Sequence, residues 1–372
     1  MKVVVARETA PGERRVALTP DAVAALQKAE IEVWVERGAG EAAGFPDAAY
    51  ETAGAQLAEG PALYSEAEVV TKVQRPAPQE AELLAPGTTL ICLLPAPASA
   101  ELIEYLDGRG VNALALERVP RITRAQSMDV LSSQATIAGY KAVLLGAAEL
   151  PRILPMLTTA AGNVPPAKVF IIGAGVAGLQ AIATARRLGA VVSGFDIRPA
   201  AAEQVRSLGA SFVAAETVSE SAEAAGGYAR EQTEEERERT MDALRAHFPD
   251  QDLVITTAAI PGRPAPRLIT ADMVRQMRPG SVIVDLAAET GGNCEATVPG
   301  ERVQVDGVTI VGPLNLPSTV PLHASQMFSK NVQTLLKHLI QEGGLMLDPQ
   351  DEIVGPMLLT QAPAAPAART TA

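Results

Sequence analysis

The fold of the chain is decided by the stretch Lys168-Val169-Phe170-Ile171-Ile172-Gly173-Ala174-Gly175-Val176-Ala177-Gly178. A continuous apolar run is followed here by three glycines at GxGxxG spacing and then by an Ala-rich segment that reaches Leu188. We predict a buried strand, a tight turn and a helix. In that arrangement Gly173 permits the turn, Gly175 lets the backbone approach a pyrophosphate, and Gly178 lets helix and strand pack closely. The helix N-terminus would offer its N–H groups to the anion.

The next apolar run, Val191 to Asp196, predicts a second strand that ends on an acidic residue. Asp196 follows Gly178 by 18 residues, an interval at which a carboxylate accepts hydrogen bonds from the adenosine ribose. Such a group repels a 2′-phosphate, so NAD(H) is favoured over NADP(H), although the nearby Arg198 weakens this preference. The predicted dinucleotide site consists of Gly173, Gly175, Val176, Ala177, Gly178, Asp196, Ile197 and Arg198.

Two later apolar runs, at residues 253–256 and 281–285, predict further buried strands of the same sheet. Ligands of open α/β sheets bind beyond the carboxyl ends of the strands. The small-residue segments after these strands are therefore expected to accommodate the nicotinamide half; the alternative is that they are ordinary loops. The candidate residues in them are Thr257, Ala258, Glu289 and Asn293.

The first 130 residues also have the pattern of repeated strand–helix units, opened by the apolar run Val3 to Ala6. The predicted fold is α/β, with two Rossmann-like domains, each a mainly parallel sheet flanked by helices, joined by long linking helices. Residues 1–132 and 312–372 are expected to form the N-terminal domain, and residues 133–311 the NAD(H)-binding domain. A mobile loop is predicted near residues 220–232, because two glycines before Tyr228 make a flexible arm suited to a lid.

Composition excludes several functional classes. The chain of 372 residues has a net charge of −12 at pH 7, which disfavours nucleic acid or an anionic membrane surface as a direct partner. Its two cysteines, Cys92 and Cys294, have no metal-ligand spacing, so we predict no metal site and expect a reduced cytoplasmic protein. The 17 uncharged residues between Lys168 and Arg186 contain three glycines and fit a strand–turn–helix better than a membrane span.

Two segments carry a resemblance to a known family. Residues 7–20 contain Arg7-Glu8 and Glu13-Arg14-Arg15-Val16-Ala17-Leu18-Thr19-Pro20, and residues 121–134 read RITRAQSMDVLSSQ. Both resemble the soluble NAD(H)-binding α component of proton-translocating NAD(P) transhydrogenase, which is related to alanine dehydrogenase; the resemblance extends to about residue 340. It implies direct hydride transfer between NAD(H) bound here and NADP(H) bound on a partner subunit.

The same resemblance implies residue roles. The segment 121–134 is similar to the family's Arg-Gln-Asp loop, which meets the nicotinamide ring. By that similarity the catalytic residues on the nicotinamide side are Arg121, Gln126, Asp129 and Ser132, and Tyr228 is the tip of the mobile loop. Without the resemblance, Arg121, Arg124 and Asp129 would equally well be a surface salt-bridge cluster.

Partners are also implied by the family. They are a membrane-spanning α-2 subunit and a β subunit that carries NADP(H). The chain itself would be a homodimer, cytoplasmic and peripheral on the inner face of the plasma membrane, and without a membrane span of its own. The implied activity is that of a Re/Si-specific, proton-translocating transhydrogenase, active only with its partner subunits.

The chemistry of the two related activities differs. Amino-acid oxidation needs a general acid/base, typically a histidine with a carboxylate, whereas hydride exchange needs only two aligned nicotinamide rings. Alanine dehydrogenases have a catalytic histidine at the end of the strand that matches Leu90–Leu94, where this chain continues with Pro95. Glu289 aligns near that family's catalytic aspartate, and we expect Lys72 to be structural, pairing with a carboxylate between domains. An amino-acid dehydrogenase that uses another base, such as His323, and a non-catalytic NAD(H)-sensing module stay open as alternatives.

Overall fold

The computed structural model describes residues 1–213, 233–259, 263–341 and 344–361. The chain divides into two compact units, Met1–Gln134 with Pro317–Ala372, and Ala135–Leu316. The loop predicted near residues 220–232, with Tyr228, lies outside the described residues. Among the residues that are described, no helix has both the length and the apolar character needed to cross a membrane.

The secondary structure follows the alternation expected from the apolar runs. The strands are β1 (Lys2–Val5), β2 (Glu32–Glu36), β3 (Gln56–Ala58), β4 (Val69–Thr71), β5 (Thr89–Cys92), β6 (Asn112–Ala115), β7 (Leu157–Thr159), β8 (Gly162–Val164), β9 (Lys168–Ile172), β10 (Val191–Phe195), β11 (Ser211–Phe212), β12 (Leu253–Thr256), β13 (Val282–Asp285), β14 (Arg302–Val305), β15 (Val308–Val311), β16 (Ile340–Gln341) and β17 (Gly344–Leu345). The α-helices are α1 (Pro20–Gln27), α2 (Asp47–Thr52), α3 (Ala62–Ser65), α4 (Pro78–Ala81), α5 (Ala96–Gly108), α6 (Val130–Glu149), α7 (Val176–Arg187), α8 (Ala200–Ser207), α9 (Glu234–His247), α10 (Ala271–Gln276), α11 (Pro321–Leu339) and α12 (Val354–Met357).

The first unit contains a six-stranded sheet in the order β3-β2-β1-β4-β5-β6, and all of its pairings are parallel. The chain leaves β1 towards β2 on one side and later returns to β4 on the other, so the strand order reverses beside β1. Helix α11 packs on this sheet, because its buried Phe328, Val332 and Leu336 share a core with Val3 and Val33. Residues from the C-terminal part of the chain thus complete the first unit.

The second unit contains a seven-stranded sheet in the order β11-β10-β9-β12-β13-β15-β14. Its pairings are parallel except for β14 with β15. Alternate residues of the central strand β9 enter different cores: Val169 and Ile171 pack on one face, and Phe170 and Ile172 on the other. Burial on both faces is the reason that this strand is a continuous apolar run. The predicted α/β fold of two Rossmann-like sheets is confirmed.

Two features of the second unit were not predicted. One is the antiparallel edge pair β14–β15, whose turn places Asp306 and Gly307 at positive φ. The other is the exposed hairpin of β7 and β8, a pair of strands of three residues each. Strands this short carry too few residues for an apolar alternation to be detected, so the sequence pattern gave no signal for them.

Candidate functional site

The GxGxxG segment forms the turn between β9 and α7. Strand β9 lies between β10 and β12, and the chain departs from it in both directions, which makes this the switch point of the sheet. Gly173 has φ of 94°, a conformation that favours glycine, and its N–H donates to the Phe195 carbonyl over 2.8 Å. The turn predicted from the sequence therefore lies where open parallel sheets bind their ligands.

The three glycines have different steric environments. A Cβ atom at position 178 would lie 1.8 Å from the Gly173 carbonyl oxygen, and one at position 173 would lie 2.7 Å from Thr257 Oγ1. Both positions must therefore be glycine for the turn to close. A Cβ at position 175 would meet nothing within 4 Å. Gly175 is exposed and no side chain caps α7, so the helix N-terminus offers an open cradle that fits a pyrophosphate.

Val176, Ala177 and Ile197 surround this turn in different ways. Val176 is exposed at the first position of α7, whereas Ala177 is partly buried. The Ala177 backbone touches the preceding helix so closely that a Cβ at Gly139 would lie 2.1 Å from the Ala177 oxygen. Ile197 is partly buried and packs on the core beneath β10. Val176 is therefore the most accessible of these three side chains.

Asp196 follows β10 and is buried, with 6% of its surface exposed. Its Oδ2 accepts from the Ala174 backbone N–H over 2.7 Å and from Arg198 Nη2 over 2.9 Å. Its Oδ1 accepts from the backbone N–H and from Nε of Arg198, each over 2.9 Å. Arg198, which the sequence placed past the strand end, is thus in direct contact with Asp196.

The residues after β12 belong to the same edge. Thr257 Oγ1 donates to the Gly173 carbonyl over 3.0 Å, which ties the β12 end to the glycine turn. Asn293 is fully buried: its Nδ2 donates to the carbonyls of Ala258 and Pro266, each over 2.8 Å, and its Oδ1 accepts from Thr256 Oγ1 over 2.6 Å and Ala258 N–H over 3.1 Å. The amide of Asn293 has all its hydrogen-bonding capacity engaged, so it positions Ala258 and has none left for a ligand.

The loop after β13 is organised by a buried carboxylate that the sequence did not single out. Asp285 accepts from the backbone N–H groups of Ala287 and Cys294, each over 3.0 Å, and from Thr297 Oγ1 over 2.7 Å. Its signal in the sequence is an acidic residue at the end of a buried apolar strand. Glu289, on the same loop, is exposed and accepts from the Asn315 N–H over 2.5 Å.

The segment that contains Arg121, Gln126, Asp129 and Ser132 lies in the first unit. Residues 123–128 form a 3₁₀ helix whose Ala125 and Met128 are buried, whereas Gln126 and Arg121 are exposed. Asn331 Nδ2 donates to the Ser127 carbonyl over 2.8 Å and fixes the segment to α11. This anchoring holds Gln126 at the surface on a rigid support.

Asp129 and Ser132 are brought together at the start of α6. The Asp129 carboxylate accepts from Ser132 Oγ over 2.5 Å and from the Ser132 N–H over 2.9 Å, so it caps the helix. Arg124 forms its ion pairs with Asp351 and Glu352 and not with Asp129. The alternative of a surface salt-bridge cluster therefore does not describe Arg124 and Asp129.

A buried ionic group occupies the carboxyl edge of the first sheet. Lys72 is 2% exposed, and its Nζ donates to Glu80 Oε1 over 2.7 Å and to the Arg7 carbonyl over 2.9 Å, 4.0 Å from Glu8 Oε2. Burial raises the pKa of Glu8 to about 7, although Lys72 and the N–H groups of residues 73 and 74 act to lower it. Both carboxylates belong to the first unit, so the expected pairing of Lys72 between domains is corrected to one within this unit.

The charges of the segment 7–20 are also engaged internally. Arg15 Nη2 lies 2.6 Å from Glu13 Oε2, and Arg15 Nη1 donates to Gln134 Oε1 over 2.9 Å. Burial acts to raise the pKa of Glu13, but the hydrogen bonds and charge of Arg15 outweigh it and hold that pKa at about 2. This buried ion pair ties the segment to the start of α6.

The three histidines have contacts of other kinds. His247 Nε2 lies 2.8 Å from Ser193 Oγ, its ring packs edge-on against Phe170, and burial lowers its pKa. His338 Nε2 lies 3.3 Å from Asp351 Oδ1, a carboxylate that also accepts from the backbone at the start of α12. His323 is exposed in the first turn of α11. The contacts of His247 and His338 are structural, which leaves His323 as the base required by the dehydrogenase alternative.

Comparison with known proteins gives matches across the chain. The family models described as alanine dehydrogenase/PNT, N-terminal domain and C-terminal domain match residues 4–138 and 142–364. In Rhodospirillum rubrum, the first of the separate chains that make up NAD(P) transhydrogenase subunit alpha is 47% identical over 370 residues, which cover 97% of this chain and 96% of that protein.

Solved structures show the same similarity in three dimensions. The transhydrogenase from Sinorhizobium meliloti superposes with a TM-score of 0.89 at 46% identity, over 97% of this chain and 99% of that one. An L-alanine dehydrogenase superposes with a TM-score of 0.81 at 31% identity, over 97% and 96% of the two chains.

Proposed function

The chain belongs to the family of alanine dehydrogenases and NAD(P) transhydrogenases, and from this premise we propose that it is the NAD(H)-binding component of a proton-translocating transhydrogenase. The family membership confirms the resemblance found in the sequence. The observation that carries the proposal is the glycine turn at the β9 switch point, with an uncapped helix behind it and Asp196 beside it. The transhydrogenase activity is favoured over the dehydrogenase because the relative that is 47% identical is a transhydrogenase subunit.

In this proposal the second unit binds the dinucleotide. Gly175 and the start of α7 receive the pyrophosphate, since the open position and the free end of the helix suit an anion. Asp196 accepts from the adenosine ribose. Thr257 and Ala258 line the nicotinamide half, and Asn293 acts behind them as a positioning residue.

The proposed nicotinamide-side residues belong to the first unit. A nicotinamide ring supplies or accepts the hydride when NAD(H) is bound. Gln126 orients the ring from the rigid 3₁₀ segment, and the Asp129–Ser132 pair accepts from and donates to the carboxamide, which has donors and an acceptor of its own. Arg121 donates to the carboxamide oxygen or to a phosphate. The expected contribution of these groups is alignment, which is the main requirement for hydride exchange between two rings.

No proton needs to be moved in this reaction, and the chain is consistent with that. Lys72 is held by Glu80 and Glu8, and Pro95 follows the strand segment where the alanine dehydrogenases have their histidine. The NADP(H) site is proposed to lie on a β subunit, and a membrane-spanning α-2 subunit is proposed to complete the complex. The chain would then be a cytoplasmic homodimer, peripheral to the membrane through these partners.

The function can be tested by reconstitution. The purified chain is mixed with NADH and NADP⁺, with or without membrane vesicles that contain the two partner subunits of a relative. We expect NADPH to form only when chain and vesicles are both present, with each component alone as the control. Formation of alanine from NADH, pyruvate and ammonia by the chain alone would establish the dehydrogenase instead. NADH binding without either reaction would favour the sensing module.

The role of Gln126 can be tested in the same assay. Replacing Gln126 with asparagine shortens the side chain by one methylene, and we expect hydride transfer to slow by about tenfold while the Kd for NADH stays within about twofold. The Kd is measured by fluorescence titration of NADH. Thr123→Ser is the matched control, because it removes one methyl group from an exposed residue of the same 3₁₀ segment. Equal losses of affinity and rate in Gln126→Asn would show that Gln126 only helps to hold the nucleotide.

A further inference from the structure

The Asp196 carboxylate has no hydrogen-bonding capacity left for a ribose. A carboxylate offers about four acceptor positions. One receives the Ala174 N–H, one the Arg198 N–H, and two the Nε and Nη2 groups of Arg198. The ribose of NAD(H) can therefore bind Asp196 only after some of these hydrogen bonds are given up.

Only the guanidinium can be given up easily. The Ala174 N–H is fixed in the glycine turn, and the Arg198 N–H is held by a backbone that continues into Pro199, whose φ is −58°. The Arg198 side chain is 21% exposed, whereas that of Asp196 is 7% exposed. The arginine thus has access to solvent and the carboxylate does not, so binding displaces the guanidinium and leaves the two backbone bonds in place.

We propose that Arg198 is a specificity-determining residue that competes with the adenosine ribose of NAD(H) for Asp196. The inference rests on the proposed NAD(H) function. The competition makes NAD(H) binding weaker than the bare aspartate would allow. It also keeps a guanidinium beside the ribose position, where a 2′-phosphate would be bound by a charge-assisted hydrogen bond. Arg198 therefore reduces the discrimination between NAD(H) and NADP(H) that Asp196 provides.

The test is a pair of binding titrations at fixed salt. We expect Arg198→Ala to bind NADH about tenfold more tightly than the wild type, since about 1.4 kcal/mol corresponds to tenfold and is the size of one hydrogen bond to a charged group. The affinity for NADPH should fall, so that the ratio of the two Kd values widens by more than about tenfold. Arg187→Ala is the matched control, because Arg187 is an exposed arginine of the same unit at the end of α7.

A second variant guards against a failure to fold. Arg198→Lys keeps the charge but lacks the planar fork that binds the carboxylate twice, so it should tighten NADH binding by about threefold. An unchanged or weaker NADH affinity in both variants, with normal binding by the wild type and by Arg187→Ala, would overturn the inference alone. No NADH binding by the wild type would overturn the proposed function together with it.

Discussion

Replacing Gly178 with alanine is expected to destabilise the second unit by about 3 kcal/mol and to abolish detectable NADH binding. The added Cβ would lie 1.8 Å from the Gly173 carbonyl oxygen, and no rotation of a side chain can relieve a contact between Cβ and backbone. Either α7 moves away from β9 or the turn at Gly173 opens. Both movements disrupt the backbone that approaches the pyrophosphate.

Gly175→Ala is the matched control for this prediction. The same methyl group is added in the same motif, but there it meets nothing within 4 Å and the residue has φ of −78°. We expect the unfolding free energy to change by less than about 1 kcal/mol and the NADH affinity to fall by more than about tenfold. Hydrogen exchange of the β9 amides measures the stability, and fluorescence titration measures the affinity. A Gly178→Ala protein as stable as Gly175→Ala would contradict the steric argument.

Replacing Lys72 with methionine is expected to destabilise the first unit by about 3–5 kcal/mol. Methionine keeps most of the volume but removes the cation that contacts Glu80 and the Arg7 carbonyl and lies near Glu8. Two carboxylates are then left in a buried site without their counter-ion. Urea unfolding followed by the fluorescence of Trp34 measures the effect, because the chain has one tryptophan and it lies in β2 of the same unit.

Two comparisons isolate the ionic contribution of Lys72. Lys28→Met makes the same substitution at an exposed position, where a change within about 0.5 kcal/mol is expected. The double variant Lys72→Met with Glu80→Gln removes one of the stranded charges, so it should recover part of the lost stability. A double variant that is destabilised by the sum of the two single effects would show that Lys72 and Glu80 are not coupled.

The nucleotide turn could be predicted because its causes are local. A strand buried on both faces must be a continuous apolar run, as in Val169–Ile172, and a turn with positive φ at position 173 favours glycine. Gly178 belongs to the same local pattern, since the carbonyl it approaches is only five residues away. These requirements leave a mark at fixed spacing, and the sequence pattern indicates them without knowledge of the rest of the fold.

The partners of side chains distant in sequence could not be predicted in this way. Asn293 reaches back to Thr256 and Ala258, and Lys72 reaches Glu80 and Glu8, across intervals for which the sequence has no periodic signal. Asn293 was expected to contact a ligand and instead spends its hydrogen bonds on the protein. The identity of each residue was informative, but its partner depended on which strands became neighbours.

The sequence by itself determined the parallel sheets, the glycine turn and the presence of an acid beside it, because backbone geometry and burial restrict which residues can occupy those positions. Tertiary structure decided how that acid is used. Asp196 lies two residues from Arg198, and only the folded backbone shows that both guanidinium hydrogen bonds go to one carboxylate. Hydrogen bonds between side chains depend on distances and angles within a few tenths of an ångström, and those are fixed by packing that no local pattern records.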